Sequence, residues 1–157
     1  MTETTVETSA KMTQANAIIN KYKNWSFVGG LIPVPLADIA AISGVQMKML
    51  SELSSLYGID FKAHLAKPII GTLLGAVGSS VAAGGIFALG IKAVPLLGTT
   101  LGVLTMPALA YAATHAIGRV FAAHFESGGT LLDFDAEKVR AHFRAEFEAA
   151  RKGGKAA

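Results

Sequence analysis

The stretch that decides the fold is residues 68–118, PIIGTLLGAVGSSVAAGGIFALGIKAVPLLGTTLGVLTMPALAYAATHAIG. Lys92 is its one formally charged side chain, and it separates an apolar segment at residues 68–91 from a second at residues 93–118. Each segment exceeds the roughly 20 mostly apolar residues that a helix needs to cross a bilayer. The stretch therefore predicts two membrane-spanning helices joined by a tight turn at Lys92.

The same stretch has a second interpretation, a pair of core helices in a soluble all-α domain. A helix that is apolar on all sides needs protein or lipid all around it. The rest of the chain offers too few amphipathic helices to enclose two such helices, which favours the membrane. Both segments are rich in Gly, Ala, Ser and Thr and are only moderately hydrophobic. A further possibility therefore stays open, in which the protein packs the hairpin among its other helices and inserts it into a membrane only when triggered.

Composition agrees with a membrane protein of one domain. Only 16% of the 157 residues are charged, against about 25% in soluble domains, and 17 residues are glycine. There is no cysteine, which excludes disulfide bonds and thiolate metal sites. We expect a single helical membrane domain at residues 13–152, between disordered tails at residues 1–12 and 153–157.

A first amphipathic helix is expected from about residue 12. It places Tyr22 and Trp25 on one face at helical spacing, next to two lysines. Aromatic rings beside basic residues suit the headgroup region of a membrane. A solvated helix that packs on its neighbour explains the same pattern equally well.

A second helix is expected from about residue 36 to Tyr57, with Gly58 as the C′ residue that ends it. Gln46 interrupts its apolar stripe at a position where an apolar side chain would be expected. We interpret Gln46 as partly exposed or satisfied by packing, and not as a ligand. A short third helix is expected to start with Asp60 as its N-cap.

The hairpin itself is expected to begin at Pro68, where the missing N–H of a first-turn proline costs nothing. Residues 127–129 (SGG) are expected to end its second helix, and Asp133 or Asp135 to cap a last amphipathic helix that runs to about Lys152. The predicted fold class is all-α, a two-span transmembrane helical hairpin flanked by amphipathic cytoplasmic helices.

Small residues recur at every fourth position within the hairpin, at Gly71, Gly75 and Ser79 in its first helix and at Gly98 and Gly102 in its second. This spacing lets helix backbones approach closely in lipid. We therefore predict that these five residues pack helices together and that the chain forms a homo-oligomer in the bilayer.

Basic residues flank the hairpin on both sides, whereas its turn has Lys92 alone. By the positive-inside tendency, both termini are expected to face the cytoplasm. The flanking residues that carry this prediction are Lys48, Lys62 and Lys67 before the hairpin and Arg119, Lys138, Arg140 and Arg144 after it.

The run ANAIINKYKNWSFVGGLIPVPLADIAAISGVQMKMLSELSSLYGID, followed by a Gly/Ala-rich hydrophobic hairpin, resembles the YcjF-like bacterial family. That family is a domain of unknown function, found alone or behind Era-like GTPase domains. The resemblance covers about residues 15–125, and its most specific pieces are Pro33-x-Pro35 followed by Asp38, Gln46-Met47 and Tyr57-Gly58. It implies an integral module of the bacterial inner membrane. By this analogy alone, it also implies a GTPase partner or a role in membrane stress.

Motifs for catalysis are missing from the sequence. No G-x-x-x-x-G-K-[ST] phosphate loop occurs, and the four histidines show neither i, i+4 pairs nor an H-E-x-x-H setting. We expect no enzyme, no cofactor, no metal and no nucleic-acid partner. His115 is the candidate polar site inside the membrane, and its plainer interpretation is an interfacial histidine bonded to a backbone carbonyl. Thr114 is expected to bond to a carbonyl of its own helix.

Two classes of function remain. The first is a membrane scaffold or adaptor that self-associates through the small-residue faces and offers its amphipathic helices to a cytoplasmic partner. The second is a pore or transport element in which hairpins line a polar path with Thr, Ser and His115. The absence of charge inside the two segments favours the scaffold, because ion-selective pores usually need rings of charge or carbonyl groups.

Overall fold

The computed structural model describes the backbone of residues 3–31, 37–92 and 97–155, and the side chains of residues 3–31, 40–77 and 107–153. Within these ranges the chain forms helices and no strand, which confirms the all-α prediction. The five helices are α1 Glu3–Gly29, α2 Ala37–Leu56, α3 Ala63–Lys92, α4 Leu97–Glu126 and α5 Ala136–Lys155.

Helix α4 is the centre of the fold, because it contacts all four other helices. Between residues 110 and 122 it has buried side chains on every side, among them Ala113, Thr114, Ile117 and Phe121. Helix α1 runs antiparallel to it. Ser26 near the end of α1 lies against Thr114, and Asn16, earlier in α1, lies against Arg119.

This packing changes the interpretation of the second predicted membrane segment. Its C-terminal part, from Pro107 onward, is enclosed by α1, α2 and α5. The estimate that the remaining helices could not enclose it was therefore wrong for this part. In the parts of the chain that the structure describes, no helix combines the length and apolarity needed to cross a membrane. The prediction of two spanning helices is thus unsupported there, and the turn at residues 93–96 lies outside the described backbone.

Gly118 lies at a close approach of three helices. A Cβ atom built on this residue would lie 2.6 Å from Cγ1 of Ile19 and 3.1 Å from Sδ of Met49. These distances are shorter than van der Waals contact, so α1 and α2 can reach α4 here only because residue 118 has no side chain. Gly118 lies at the end of the predicted hairpin and is not one of its five predicted packing residues.

The predicted packing glycines Gly71 and Gly75 behave differently. Both are exposed on α3, and a Cβ atom on either would meet nothing within 4 Å. Neither glycine therefore packs two helices of one chain together. The surroundings of Ser79, Gly98 and Gly102 lie outside the described side chains. The role of all five in association between copies stays a prediction.

The predicted helix ends at glycine are confirmed. Gly58 has φ 69° and Gly128 has φ 89°, values that suit glycine because it lacks a Cβ atom. After α2, the N–H of Ile59 bonds to the carbonyl of Ser54 at 2.7 Å. After α4, the N–H of Gly129 bonds to the carbonyl of His124 at 3.0 Å. Both are Schellman motifs, which satisfy the last carbonyl groups of a helix.

Several helix starts differ from prediction. α1 begins at Glu3, so most of the segment predicted to be disordered is helical, with a Glu7–Lys11 ion pair at 2.9 Å that supports this exposed helix locally. α5 likewise continues to Lys155. α3 begins at Ala63, where the carbonyl of Lys62 accepts the first helical bonds. The separate short helix capped by Asp60 is therefore wrong.

Pro68 lies inside α3 and does not start it. As the sixth residue of α3 it lies beyond the first turn, so it removes one hydrogen bond within the helix, the bond to the carbonyl of His64. Asp135 is confirmed as the cap of α5, because its Oδ1 accepts the backbone N–H groups of Glu137 at 3.1 Å and Lys138 at 3.3 Å.

Candidate functional site

The end of α1 is divided between a buried and an exposed face. Residues three or four apart, Ala15, Ile19, Tyr22 and Ser26, turn toward α2 and α4 and are buried. The residues between and beyond them turn outward. Trp25 is 61% exposed, Phe27 43%, Val28 57% and Leu31 47%. We call these four residues the α1 anchor surface.

A buried polar cluster fixes the rotation of α1 that produces this surface. The hydroxyl groups of Ser26 and Thr114 lie 2.7 Å apart, and Nε2 of Gln46 donates to Oγ1 of Thr114 at 3.2 Å. All three residues are fully buried. Such groups have to pair with one another, because an unpaired buried polar group is costly. A turn of α1 that buried the α1 anchor surface would break these bonds.

Two predictions are decided by this cluster. Gln46 is satisfied by packing, as predicted, and Thr114 is its partner. Thr114 does not bond to a carbonyl of its own helix, because the hydroxyl of Ser26 and the amide of Gln46 occupy it from α1 and α2.

A shallow groove of about 480 Å³ separates α1 from α2 beside Trp25. Its walls include Ala41, Gly44 and Val45 from α2, and its rim carries Lys21 and Lys48. The groove is therefore an apolar slot bordered by two ammonium groups.

One carboxylate, that of Glu52, lies close to the same rim. It accepts hydrogen bonds from the hydroxyl of Tyr22 and, at 3.0 Å, from Nζ of Lys21. The bond from Tyr22, with Lys21 adding to it, lowers the pKa of Glu52 below its ordinary value. The bond to Glu52 raises the pKa of Lys21, and burial raises that of Tyr22. Near neutral pH, Glu52 is thus ionised and the other two are protonated.

We expect Glu52→Gln to weaken the fold at pH 7 and to remove part of its acid sensitivity. A carboxyl whose pKa is lowered by folding stabilises the folded state above its unfolded pKa, and this contribution is lost as the pH falls through the folded pKa. The loss at pH 7 is at most about 1 kcal/mol, because Glu52 is partly solvated. Urea unfolding between pH 7 and pH 3 should show the two proteins converging below the ordinary carboxyl range. Parallel curves down to pH 3 would contradict the assignment.

The predicted polar residue His115 lies in a second cluster, between α4 and α5. Its Nε2 is 3.3 Å from Oε2 of Glu146, and Nε of Arg119 lies 3.7 Å from the other oxygen of the same carboxylate. His142 of α5 adds a contact to Glu146 at 3.4 Å. The interpretation of His115 as bonded to a backbone carbonyl is therefore wrong, because its Nε2 faces a side-chain carboxylate. Its role as a polar site inside the membrane stays a prediction.

Among the predicted site residues whose side chains are described, the structure does not bring His115 close to Gly71 or Gly75. His115 lies at the α4–α5 contact, whereas Gly71 and Gly75 are on the exposed side of α3. No group of three or more His, Asp or Glu side chains among the described residues is arranged to hold a metal ion. The described geometry thus offers interaction surfaces.

The sequence predicts only part of the α1 anchor surface. It indicates an interfacial position for Trp25 beside basic residues and assigns no role to Phe27, Val28 and Leu31. The signal in the sequence is the run WSFVGGL, which contains four large apolar residues close to two lysines. In the structure only Ser26 and the glycines of this run turn inward.

Residues 3–126 match the domain family DUF697, described as a domain of unknown function. The chain belongs to the DUF697 family. It is similar to "Magnetosome membrane protein 22" of Magnetospirillum gryphiswaldense, with 36% identity over 134 residues that cover 85% of this chain and 69% of that protein. The resemblance to the YcjF-like family is thereby confirmed. No solved structure matches the chain.

The boundaries of the DUF697 match coincide with those of the helices. The match starts with α1 at Glu3 and stops with α4 at Glu126. The exposed end of α1, the buried polar cluster and the groove therefore lie within the family domain. Helix α5, which supplies Glu146 to His115, lies outside it.

Proposed function

We propose that this chain is a non-catalytic, membrane-associated protein that acts as a self-associating scaffold, with the α3–α4 hairpin as the element that enters the bilayer. The observation that carries this proposal is the 36% identity to a protein named as a magnetosome membrane protein, combined with a run of residues 68–118 in which Lys92 is the one formal charge. The absence of catalytic sequence motifs supports a structural role.

We propose that only part of the hairpin faces lipid. Helices α1, α2 and α5 cover α4 from Pro107 onward, and the part that enters the bilayer is proposed to be the distal half of the hairpin. The α3 backbone after Val77 continues as helix to Lys92, roughly 22 Å at 1.5 Å per residue. This is shorter than the ~30 Å hydrocarbon core. We therefore propose insertion of the tip from the cytoplasmic side, with both termini on that side.

Self-association is proposed to use the outer face of α3. Gly71, Thr72 and Gly75 are exposed there, and both glycines have open space above them. A second helix could approach this face closely, because neither glycine has a side chain that would keep the two backbones apart. A cytoplasmic protein partner remains part of the proposal, and a GTPase is suggested by the family resemblance alone.

The alternative of a pore has less support. Its expected lining was Thr, Ser and His115. Among the described residues, Thr114 is bonded to Ser26 and Gln46, and His115 faces Glu146. Side chains that are already hydrogen-bonded inside the protein are not available to line an ion path.

Single-cysteine variants test the scaffold, since the chain has no cysteine of its own. When bacterial membranes that contain the Gly75→Cys variant are washed with alkaline carbonate, the variant should stay in the membrane pellet. Mild oxidation of these washed membranes should then produce a disulfide-linked dimer. Gly44→Cys is the matched control, because Gly44 is also an exposed helical glycine with open space around it. It should give no dimer. Recovery of the protein in the wash supernatant would refute membrane insertion, and equal cross-linking at both positions would refute the α3 face.

The same approach decides the topology. Cysteines at Thr4, Lys92 and Lys155 are treated in intact cells with a thiol reagent that does not cross membranes. Protection of all three is expected for an inserted tip. Labelling at residue 92 alone would instead establish two full crossings, and labelling at residue 4 or 155 would refute cytoplasmic termini.

A further inference from the structure

The α1 anchor surface is unusual for a part of the fold that is otherwise well covered. Four large apolar side chains, Trp25, Phe27, Val28 and Leu31, lie within seven positions of one another and are each at least 43% exposed. The other large hydrophobic side chains exposed to this degree among the described residues are Val6 and Leu132, which lie elsewhere in the chain. Clustered exposure of this kind marks an interaction surface, whereas single exposed residues do not.

We infer that the α1 anchor surface docks into the headgroup region of a bilayer that contains anionic phospholipids. This inference rests on the proposed membrane association and specifies the lipid and the contact residues. Its support comes from the position of the surface on the fold and from the charges around it.

The position follows from the packing of α1 on α4. Because the two helices are antiparallel, the end of α1 points toward the N-terminal half of α4, which is the distal half of the hairpin. Ser26 lies opposite Thr114, roughly 10 Å along the helix from Pro107, where the described enclosure of α4 begins. The α1 anchor surface thus lies where the hairpin would leave the protein and enter lipid.

The charges near this surface suit phosphate groups. Lys21 and Lys48 border the groove beside Trp25, and Nζ of Lys23 lies 5.1 Å from the ring centroid of Tyr111 on α4. Among the described residues, Glu52 is the carboxylate that lies beside these lysines, and it already accepts hydrogen bonds from Lys21 and Tyr22. The charge of Lys48 also acts on Glu52, but neither Lys23 nor Lys48 has an ion pair among the described residues. Both can therefore attract anionic headgroups while the aromatic and aliphatic side chains enter the boundary below them.

A protein helix could also cover an apolar surface, but this chemistry favours a bilayer. Tryptophan beside lysine is the arrangement that settles at the depth of lipid headgroups. A groove for a protein helix would need a row of apolar pockets, and here Trp25 and Val28 project outward from a convex helix.

Trp25 is the single tryptophan of the chain, so its fluorescence reports this contact without a label. The full-length protein is placed in nanodiscs of phosphatidylcholine, with or without phosphatidylglycerol, that contain lipids brominated close to the headgroup. We expect Trp25 to be quenched by the brominated lipid and shielded from aqueous acrylamide, more strongly when phosphatidylglycerol is present. Val28→Ser should lower the ratio of docked to undocked α1 about tenfold. Lys48→Gln should lower it about fivefold, in the anionic discs only.

Matched controls separate a local contact from a general effect. Val6→Ser and Leu132→Ser remove side chains that are 60% and 75% exposed elsewhere, and they should leave Trp25 quenching unchanged. Circular dichroism verifies that every variant keeps its helices. Because these side chains are on the surface, loss of folding is not expected.

The outcomes distinguish this inference from the proposed function. Quenching of Trp25 in a protein that carbonate removes from membranes would keep the α1 contact and refute hairpin insertion. Retention after carbonate, with Trp25 open to acrylamide and untouched by brominated lipid, would overturn the α1 contact and leave the scaffold intact. Shielding of Trp25 from acrylamide without lipid quenching would also overturn it, because a protein partner would then cover the surface.

Discussion

Replacing Gly118 with valine is expected to lower the free energy of unfolding by about 3 kcal/mol or more, which is the upper range for overpacking a core. A Cβ atom at this position would meet Cγ1 of Ile19 at 2.6 Å and Sδ of Met49 at 3.1 Å. Both neighbours are fully buried. Ile19 is also branched at Cβ, so its Cγ1 atom cannot swing away without moving α1. Valine would therefore push α1 away from α4 and weaken the three-helix contact.

Gly44→Val is the matched control for this prediction. Gly44 lies on α2, is exposed and has nothing within 4 Å of its Cβ position. Valine has a higher helix propensity than glycine, so this variant should be unchanged or slightly more stable. Urea unfolding of both variants in the same mild detergent, followed by circular dichroism, gives the comparison. Equal midpoints would show that α1 does not approach α4 at Gly118 as described.

The ends of the helices could be predicted from the sequence because they depend on local geometry. Gly58 and Gly128 follow apolar helical runs at the position where the chain needs positive φ, and only a few residues on either side decide this. The start of α3 at Ala63 was predicted wrongly, because proline is common in the first turn of a helix and Pro68 therefore indicated a later start. Residues 63–67 have few signals of their own that distinguish a continuous helix from a separate short one.

The neighbours of the apolar run could not be predicted, for a physical reason. Hydropathy measures the side chains of one helix and says nothing about what surrounds it. The second half of α4 would have the same composition in lipid as it has among α1, α2 and α5. The sequence places Ala15, Ile19 and Tyr22 on one face of α1, but their spacing does not distinguish a face that packs on another helix from one that meets lipid.

The candidate site was predictable only where adjacent residues form it. Trp25 and the lysines beside it suggested an interface from their order in the chain. The polar cluster that orients them could not be predicted from the sequence, because Ser26 bonds to Thr114 across 88 residues and Gln46 bonds to Thr114 across 68. Such contacts require knowledge of how α1, α2 and α4 pack, which no local pattern contains.

Phe143→Ala is expected to reduce the stability of α5 by about 3–5 kcal/mol, the usual cost of removing a buried aromatic ring. Phe143 is fully buried and Phe147 is 2% exposed, and their ring centroids lie 6.3 Å apart. These two rings are the fully buried side chains of an otherwise charged helix. The polar contacts of α5, from Glu146 to His115 and from Arg144 to the carbonyl of Ala76, cannot replace them, because they are partly solvated.

The loss of stability is expected to appear first as local opening of α5, which lies outside the family match at residues 3–126. Phe143 and Phe147 belong to the core cluster around α4, but among the described residues α5 contacts only α3 and α4, whereas α1 and α2 also contact each other. Native-state hydrogen exchange should therefore show faster exchange in α5 with little change in α2 and α4. Phe27→Ala, which shortens a phenylalanine that is 43% exposed, is the control and should leave α5 protected. Equal acceleration in all helices would instead make α5 part of one cooperative unit with the family domain. Unchanged exchange in α5 would contradict the burial of Phe143 on which the prediction rests.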